Sequence, residues 1–468
     1  MSTVTLSMTA KQHRELKEFL FPGDGKEAVA IALCTRRAGT RRHRLLVHNI
    51  IFIPYAECAE RTAVNVKWDT DLIVPALEEA ERKQLSVVKI HSHPTGFPRF
   101  SAADDAADNA LLPAVRGWIE ADIPHGSAVM LPAGNMFGRY QIGTDNFAEI
   151  DRIAVVGDDL RIWRRTTLPS STVEQRSFAA SHAQLFGEKT IEEFGDLSVA
   201  VVGCSGTGSL VIEQLARLGI GELVLVDHDR MSYRNVNRIT NSYMTDAEEE
   251  RLKVEVLAER IQRFGLGTTV IPIADNLWHP DAIRQVAQCD IVFGCMDSID
   301  GRFLLNTLAT HYLLPYFDLG VRLEAVAEGP CAGEIREVCG TVHYLQPGKS
   351  SLMSRGLIDM NDVAAAGLAR NDPTAYSQQL KDGYITGVQE QRPAVITVNM
   401  YIAALAVHEL LCRLHPYREE PNAAYASVEF SLGSMEFFPE GESEHCEILA
   451  PAVGRGDTSP LLGLPELG

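Results

Sequence analysis

Residues 70–85, "TDLIVPALEEAERKQL", set apolar side chains three and four apart behind a threonine, which predicts a capped helix with one buried face. The next stretch, "SVVKIHSHP" (86–94), is β-branched and predicts a strand. "EAVAIALC" (27–34) and "RLLVHNIIFIP" (44–54) predict two more strands, and a helix begins in "SAADDAADNALLPAVRGWIE" (101–120). Residues 1–145 therefore form a mixed α/β domain. A connecting segment, 146–195, holds the breaker run "TLPSSTVEQRS". From 196 the pattern changes. "LSVAVVG", "GSLVIEQLARLG", "ELVLVD", "EEERLKVEVLAERIQRFG", "TTVIPIA" and "CDIVFGCMD" alternate strand with helix, which implies a Rossmann-like, mostly parallel, doubly wound sheet through about 450, with a tail at 451–468.

The longest apolar run, "VITVNMYIAALAVHELL" (395–411), carries Asn399, His408 and Glu409 and reads as a buried helix, not a membrane span. A length of 468 residues suits two or three domains, and 46% hydrophobic residues suffice for packed cores. The net charge of −19 argues against nucleic acid as the main partner, because phosphate backbones need clustered cations. The N-terminal stretch shows no long apolar leader. Nine scattered cysteines without a C-x-x-C pair point to a reducing, cytoplasmic setting.

Two stretches carry chemistry. In "KIHSHPTGFPRFSAADD" (89–105), His91 and His93 share one face of the strand, and the loop after Pro94 can return Asp104 to them. Two imidazoles and a carboxylate leave one tetrahedral position open, an arrangement suited to catalytic zinc, whose bound water has a pKa near 7. Read without its neighbours, Ser101-x-x-Asp104 is also a helix capping box.

The full string, His-x-His-Pro, six residues, Ser-x-x-Asp, resembles the JAMM (JAB/MPN+) metalloprotease signature, with every fixed position filled. The resemblance covers about residues 1–145. It implies a zinc peptidase or isopeptidase that cuts after the C-terminal glycine of a ubiquitin-like protein. By it, Glu27 in "GKEAVAIALC" is the general base, and Ser101 helps stabilise the oxyanion.

In "VAVVGCSGTGS", Gly203, Gly206 and Gly208 lie between a strand and a helix, where the backbone can approach phosphate. Asp227 ends the next strand, 19 residues after Gly208, in reach of ribose hydroxyls. Glycines and this acid alone would fit a nicotinamide dehydrogenase. Asp229, Asn235, Arg238, Lys253 and Asp297 change the picture, because cations around phosphates and a further acid suit ATP with Mg²⁺.

The stretch from about 175 to 450 resembles the ThiF/MoeB and ubiquitin-activating-enzyme adenylation domain. That resemblance implies attack of a ubiquitin-like C-terminal glycine on the α-phosphate of ATP. Asp227 would contact the ribose, Asn235, Arg238 and Lys253 the phosphates, and Asp297 would hold Mg²⁺. It also implies a homodimer in which an arginine, Arg176 here, enters the partner's site. Departures are a serine, Ser205, at the loop's second glycine position and, where many relatives carry a structural zinc, Ser351, Ser354, Cys446 and Leu449. One zinc per chain follows. No cysteine lies between Cys339 and Cys412, so Cys339 and Cys331 are the candidates for any thioester.

The sequence therefore reads as a bifunctional enzyme of a bacterial ubiquitin-like or sulfur-carrier pathway, with a conjugating-enzyme-like protein as a further partner. A docking module with one degenerate domain, and an NAD-dependent oxidoreductase, stay open as alternatives.

Overall fold

The computed structural model describes residues 3–143, 146–164, 184–185, 187–326, 333–382 and 394–468. It divides into two compact units. The first is 1–168 with 311–313 and 452–462, and the second holds the rest.

The first unit is built on a nine-stranded sheet. Its strands are β1 Thr3–Thr9, β2 Val29–Arg37, β3 Arg42–Phe52, β6 Ser86–Ser92, β7 His125–Met130, β8 Met136–Gln141, β9 Ala148–Glu149, β10 Arg152–Val156 and β11 Arg161–Arg164. A separate hairpin joins β4 Cys58–Arg61 to β5 Val66–Trp68. The order across the sheet is β11-β10-β1-β3-β2-β6-β7-β8-β9. Strand β2 is apolar from Val29 to Cys34 because both its faces are covered there. Ala28, Ala30, Ala32 and Cys34 pack with Leu16 and Leu20 of helix α1 (Ala10–Leu20). Val29, Ile31 and Leu33 pack with Ala76, Leu77 and Ala80 of α2 (Val74–Lys83) and with Val115 and Ile119 of α3 (Ala102–Ile119). The helix expected from 70 starts as a 3-10 turn at Thr70–Ile73, capped by Asp69 and not by the threonine.

The domain edge expected at 145 is corrected here. Strands β9 to β11 complete the same sheet, and β10 pairs in parallel with β1, Leu6 facing Ile153. The expected C-terminal tail is also corrected, because residues 452–462 belong to the first unit and Thr35 Oγ1 donates to the Gly454 carbonyl at 2.6 Å.

The second unit carries an eight-stranded sheet. Its strands are β12 Ser198–Val202, β13 Glu222–Val226, β14 Thr269–Ile273, β15 Ile291–Gly294, β16 Tyr316–Ala325, β17 Ile335–Leu345, β18 Ser427–Ser431 and β19 Glu436–Glu440. The order is β14-β13-β12-β15-β16-β17-β18-β19. The first five strands pair in parallel and the rest antiparallel, so the parallel part is the Rossmann-like half. Between β12 and β15 the strand order reverses, and ligands of such sheets sit at the carboxyl ends beside that reversal. The apolar run after 395 is the helix Ile396–Leu414, long and apolar enough to cross a membrane by composition. Its Ile402, Ala403, Ala406 and Leu410 are buried within this unit.

Candidate active sites

In the first unit, β2 and β6 run antiparallel with Val29 opposite His91. His91 therefore shares the face of Val29 that looks to α2 and α3. Alternation puts Lys89, His91 and His93 on that face, and Glu27, two residues before Val29, on the same side of β2. Helix α3 brings the third group. Ser101 caps it, its Oγ accepting from the Asp104 N–H at 3.2 Å, while one Asp104 oxygen accepts from Ser101 N and Oγ at 2.7 and 2.8 Å. The candidate ligand Asp104 is thus also one half of the capping box. Asp104 Oδ1 lies 2.8 Å from His91 Nε2 and Oδ2 3.3 Å from His93 Nε2. The two Nε2 atoms are 3.2 Å apart.

His93 Nδ1 lies 2.8 Å from the Phe97 carbonyl, which fixes the proton on Nδ1 and leaves a lone pair on Nε2. Burial pushes His91 down to about 4, with Asp104 opposing, so its ring is neutral, the form that binds metal. Burial also lowers His93, but its bonds to Asp104 and Phe97 outweigh that and leave it raised. Burial would raise Asp104, yet its close contacts with both imidazoles hold it well below the carboxylate range. Two imidazole nitrogens and a carboxylate, all buried and within 4.8 Å of one another, are a donor set that fits zinc.

Glu27 is 5% exposed and pushed up to about 7, first by burial and then by the nearby Asp104 charge, against His93 and Lys89. Its backbone is pinned, with its N–H on the Thr62 carbonyl at 2.7 Å and its carbonyl on Arg61 Nε at 2.9 Å. Ser101 differs from expectation. Its hydroxyl is engaged with Asp104 on both sides, which makes it a positioning residue before it is an oxyanion donor. Sequence reasoning missed the buried set behind the ligands. Lys89 pairs with Asp108, which takes Arg139 Nε and Nη2 at 3.0 and 2.7 Å. The signal was present, since Lys89 lies two before His91 and Asp108 four after Asp104. Beside the site runs a groove of about 680 Å³, with Glu27, His91 and Asp104 at its wall and Trp68, Ala107 and Trp118 along it.

In the second unit, the loop after β12 turns on glycines that no other residue could replace. Gly203 has φ +90°, and a side chain there would meet the Cys295 carbonyl oxygen at 2.7 Å. At Gly208 a Cβ would lie 1.8 Å from the Gly203 oxygen. Gly206 opens the helix Gly206–Leu218, and its Cβ position is hemmed by Asn399 Nδ2 and the Arg238 side chain. Asp227, at the end of β13, accepts from Cys204 N at 2.7 Å and from Asp229 N at 2.8 Å. Buried Lys253 lies 2.6 Å from Asp229 Oδ2 and 3.8 Å from Asp227 Oδ2. Burial raises Asp227 against the pull of Lys253, whereas in Asp229 the bond to Lys253 outweighs burial and lowers it. Asn235 is buried with its oxygen accepting from Ser232 N and Oγ at 3.0 and 2.7 Å. Arg238 reaches from beside Gly206 to the Arg234 carbonyl. Asp297 is exposed just past β15, two residues after Cys295. The sequence gives no sign of Asn399 as part of this site, because it lies in an apolar helix nearly 200 residues from the loop it touches.

Arg176 and Cys331 lie outside the described residues. Cys339 is buried in β17 with its thiol raised by burial, which disfavours the thiolate a thioester needs. The serine turn closes on itself, Ser351 Oγ accepting from Met353 N and Ser354 N at 3.2 Å and Ser354 Oγ accepting from Ser351 N at 2.9 Å. Cys446 Sγ accepts from Leu449 N at 3.4 Å, and Leu449 is buried.

Among known proteins, the ThiF family model matches residues 179–448, more than half of the chain, and the model of prokaryotic homologs of the JAB domain matches residues 9–141. Ubiquitin-like modifier-activating enzyme 5 of Drosophila persimilis is 29% identical over 175 residues, 35% of this chain and 42% of that protein. Its counterpart in Aedes aegypti is 26% identical over 222 residues, 44% and 52% of the two chains. The chain thus spans about half the length of these relatives. A solved structure of MccB from E. coli with ATP is similar at 17% identity and a TM-score of 0.43, over 60% of this chain and 75% of that one.

Proposed function

The chain belongs to the ThiF family, and on that premise we propose that it acts twice on one ubiquitin-like protein. The second unit adenylates the protein's C-terminal glycine with ATP, and the first, a JAB-type domain, cleaves the bond after that glycine. One observation carries the reading: a single chain holds both the converged His91, His93 and Asp104 and, around a glycine loop, Asp227, Asp229, Lys253 and Arg238.

In the first unit, His91, His93 and Asp104 would hold zinc, which when bound polarises the scissile carbonyl and acidifies water. Glu27, poised near neutrality by burial, takes the proton of the attacking water and returns it to the leaving amine. Ser101 keeps Asp104 in place. The apolar groove along Trp68 and Trp118 receives the extended tail and keeps bulk water away.

In the second unit, the free N–H groups that open the helix Gly206–Leu218 donate to phosphate oxygens. Lys253 and Arg238 offset the charge that grows on the departing pyrophosphate, Asp227 orients the ribose, and Asn235 braces the turn that carries Arg238. Asp297, at the open end of β15, is the residue that would hold Mg²⁺. The same reading includes a homodimer that lends Arg176, a conjugating-enzyme-like acceptor and a cytoplasmic setting.

The test uses a glycine-ended ubiquitin-like protein and its C-terminal fusion. ATP–pyrophosphate exchange should appear only with that protein present, and cleavage of the fusion should stop on chelation. Exchange at full rate without any such protein would overturn the reading.

A further inference from the structure

At the opposite end of β2 from Glu27 lies a second cavity of about 350 Å³, within the range of small-ligand pockets. Strands β2 and β6 pair from Val29 and His91 at the metal end to Cys34 and Ser86 at this end, so the two sites share one strand pair and lie apart. Arg36, His48, Lys83, Gln84, Arg455 and Asp457 line it. Four of these six side chains are basic, in a chain whose net charge is −19.

The cavity is built, not incidental. The segment carrying Arg455 is laid against β2, with Asp457 N donating to the Arg36 carbonyl at 2.9 Å. Gly454 and Gly456, at φ +63° and +60°, flank Arg455, and a side chain at Gly456 would lie 2.5 Å from the Arg36 oxygen. Only glycine allows this approach, and the approach sets Arg455 beside Arg36. The one acid in the lining, Asp457, is already held by Arg37 Nη1 at 3.2 Å, Ala38 N at 3.4 Å and Tyr312 Oη at 2.9 Å. Among the described residues neither Arg36 nor Arg455 forms an ion pair. Arg36 gives one hydrogen bond, to the Gln84 carbonyl at 3.3 Å, and His48 Nδ1 is buried without a partner. Burial pulls Arg36 down and Asp457 restores only part of that. Lys83 at the carboxyl end of α2 is already paired with Glu79 Oε1 at 2.7 Å and lies at the rim, but neither that pair nor the helix end accounts for Arg455 or the orphaned imidazole.

We propose that this cavity binds a phosphate-class anion, held by Arg36 and Arg455 with Lys83 and His48 completing the shell. Guanidinium groups suit phosphate because their N–H groups match its oxygens in pairs. Inorganic phosphate, pyrophosphate and the phosphate of AMP share this chemistry, and the cavity is large enough for each.

The full-length protein should be titrated calorimetrically with phosphate, pyrophosphate and AMP in separate arms, and with sulfate as a charge control. The strongest arm identifies the source. Arg455→Ala should weaken binding here by about 10-fold or more, the loss expected for a charge-assisted hydrogen bond. Combined Arg455→Ala and Lys83→Ala, both at exposed positions, should remove one equivalent. Binding at the glycine loop would instead be lost in Lys253→Ala, so the two sites are told apart even if the adenylation reading fails. Slowed amide exchange at residues 35–38 and 454–457 on adding the anion would place it here. An unchanged isotherm in the double variant, or one equivalent that vanishes only in Lys253→Ala, would overturn the proposal, as would sulfate binding equal to every phosphate arm.

Discussion

Asp104 and Ser101 hold each other: the serine hydroxyl donates to the Asp104 carboxylate at 2.8 Å and accepts from the Asp104 N–H at 3.2 Å. The start of helix α3 and the third candidate ligand are therefore one unit. Replacing Ser101 by Ala should cost about 1 kcal/mol through the lost cap. It should also weaken zinc about 10-fold, as loss of a supporting hydrogen bond does. Thermal unfolding and chelator competition read the two effects. A drop in stability with unchanged zinc affinity would reduce Ser101 to a cap.

Glu27 sits among buried groups that push it to about 7. As a base it must be ionised, so kcat/KM for cleavage should rise with pH through about 7. Glu27→Gln should bind zinc normally and cleave at least about 100-fold more slowly. The sign for stability is opposite. A carboxyl raised above its ordinary 4.5 makes the metal-free fold less stable as pH rises from there to about 7. Metal-free Glu27→Gln should thus match wild type at pH near 4 and exceed it at pH 8. Equal thermal midpoints at both would show that the site does not strain this carboxylate.

The two candidate sites lie in separate units, so their variants should not cross. His91→Ala should lose zinc and cleavage yet keep ATP–pyrophosphate exchange. Asp297→Ala should lose exchange by about 100-fold or more, the scale for removing one electrostatic element of a transition-state site, and still cleave. Loss of exchange in a folded His91→Ala protein would mean that the two sites depend on each other.

Metal content should be one zinc per chain. The serine turn spends its hydroxyls on its own N–H groups, and Cys446 accepts from the Leu449 N–H, so these turns are closed without a metal. Neutral hydroxyls are poor zinc ligands, and Leu449 has no donor atom. Elemental analysis giving two zincs, one of them retained in His93→Ala, would contradict this.

Much of this was legible because it is local. Two histidines two apart in a strand, a serine three before an aspartate and glycines between strand and helix are patterns set by backbone period and turn geometry. What the sequence hid is what long-range pairing decides. Strands β9 to β11 follow residue 145 in a stretch without strong alternation, and only their pairing with β1 makes them part of the first sheet. Lys89 and Asp108 read as a strand lysine and a helix acid until α3 lies over β6. Asn399 reads as a blemish in an apolar helix until that helix meets Gly206. The environment of Cys339 is likewise a matter of burial, which composition around it does not announce.

The hydroxyl of Thr35 and the carbonyl of Gly454 that it meets are 419 residues apart in the chain. A ribosome adding about 5–20 residues per second needs roughly 20–80 s to cover that interval. Leu6 waits in the same way for Ile153 before β1 gains its parallel neighbour β10. During synthesis the rim beside Arg36 is therefore made long before the segment Gly454 to Asp457 that lies against it, so that edge of β2 has to wait for a partner from far along the chain.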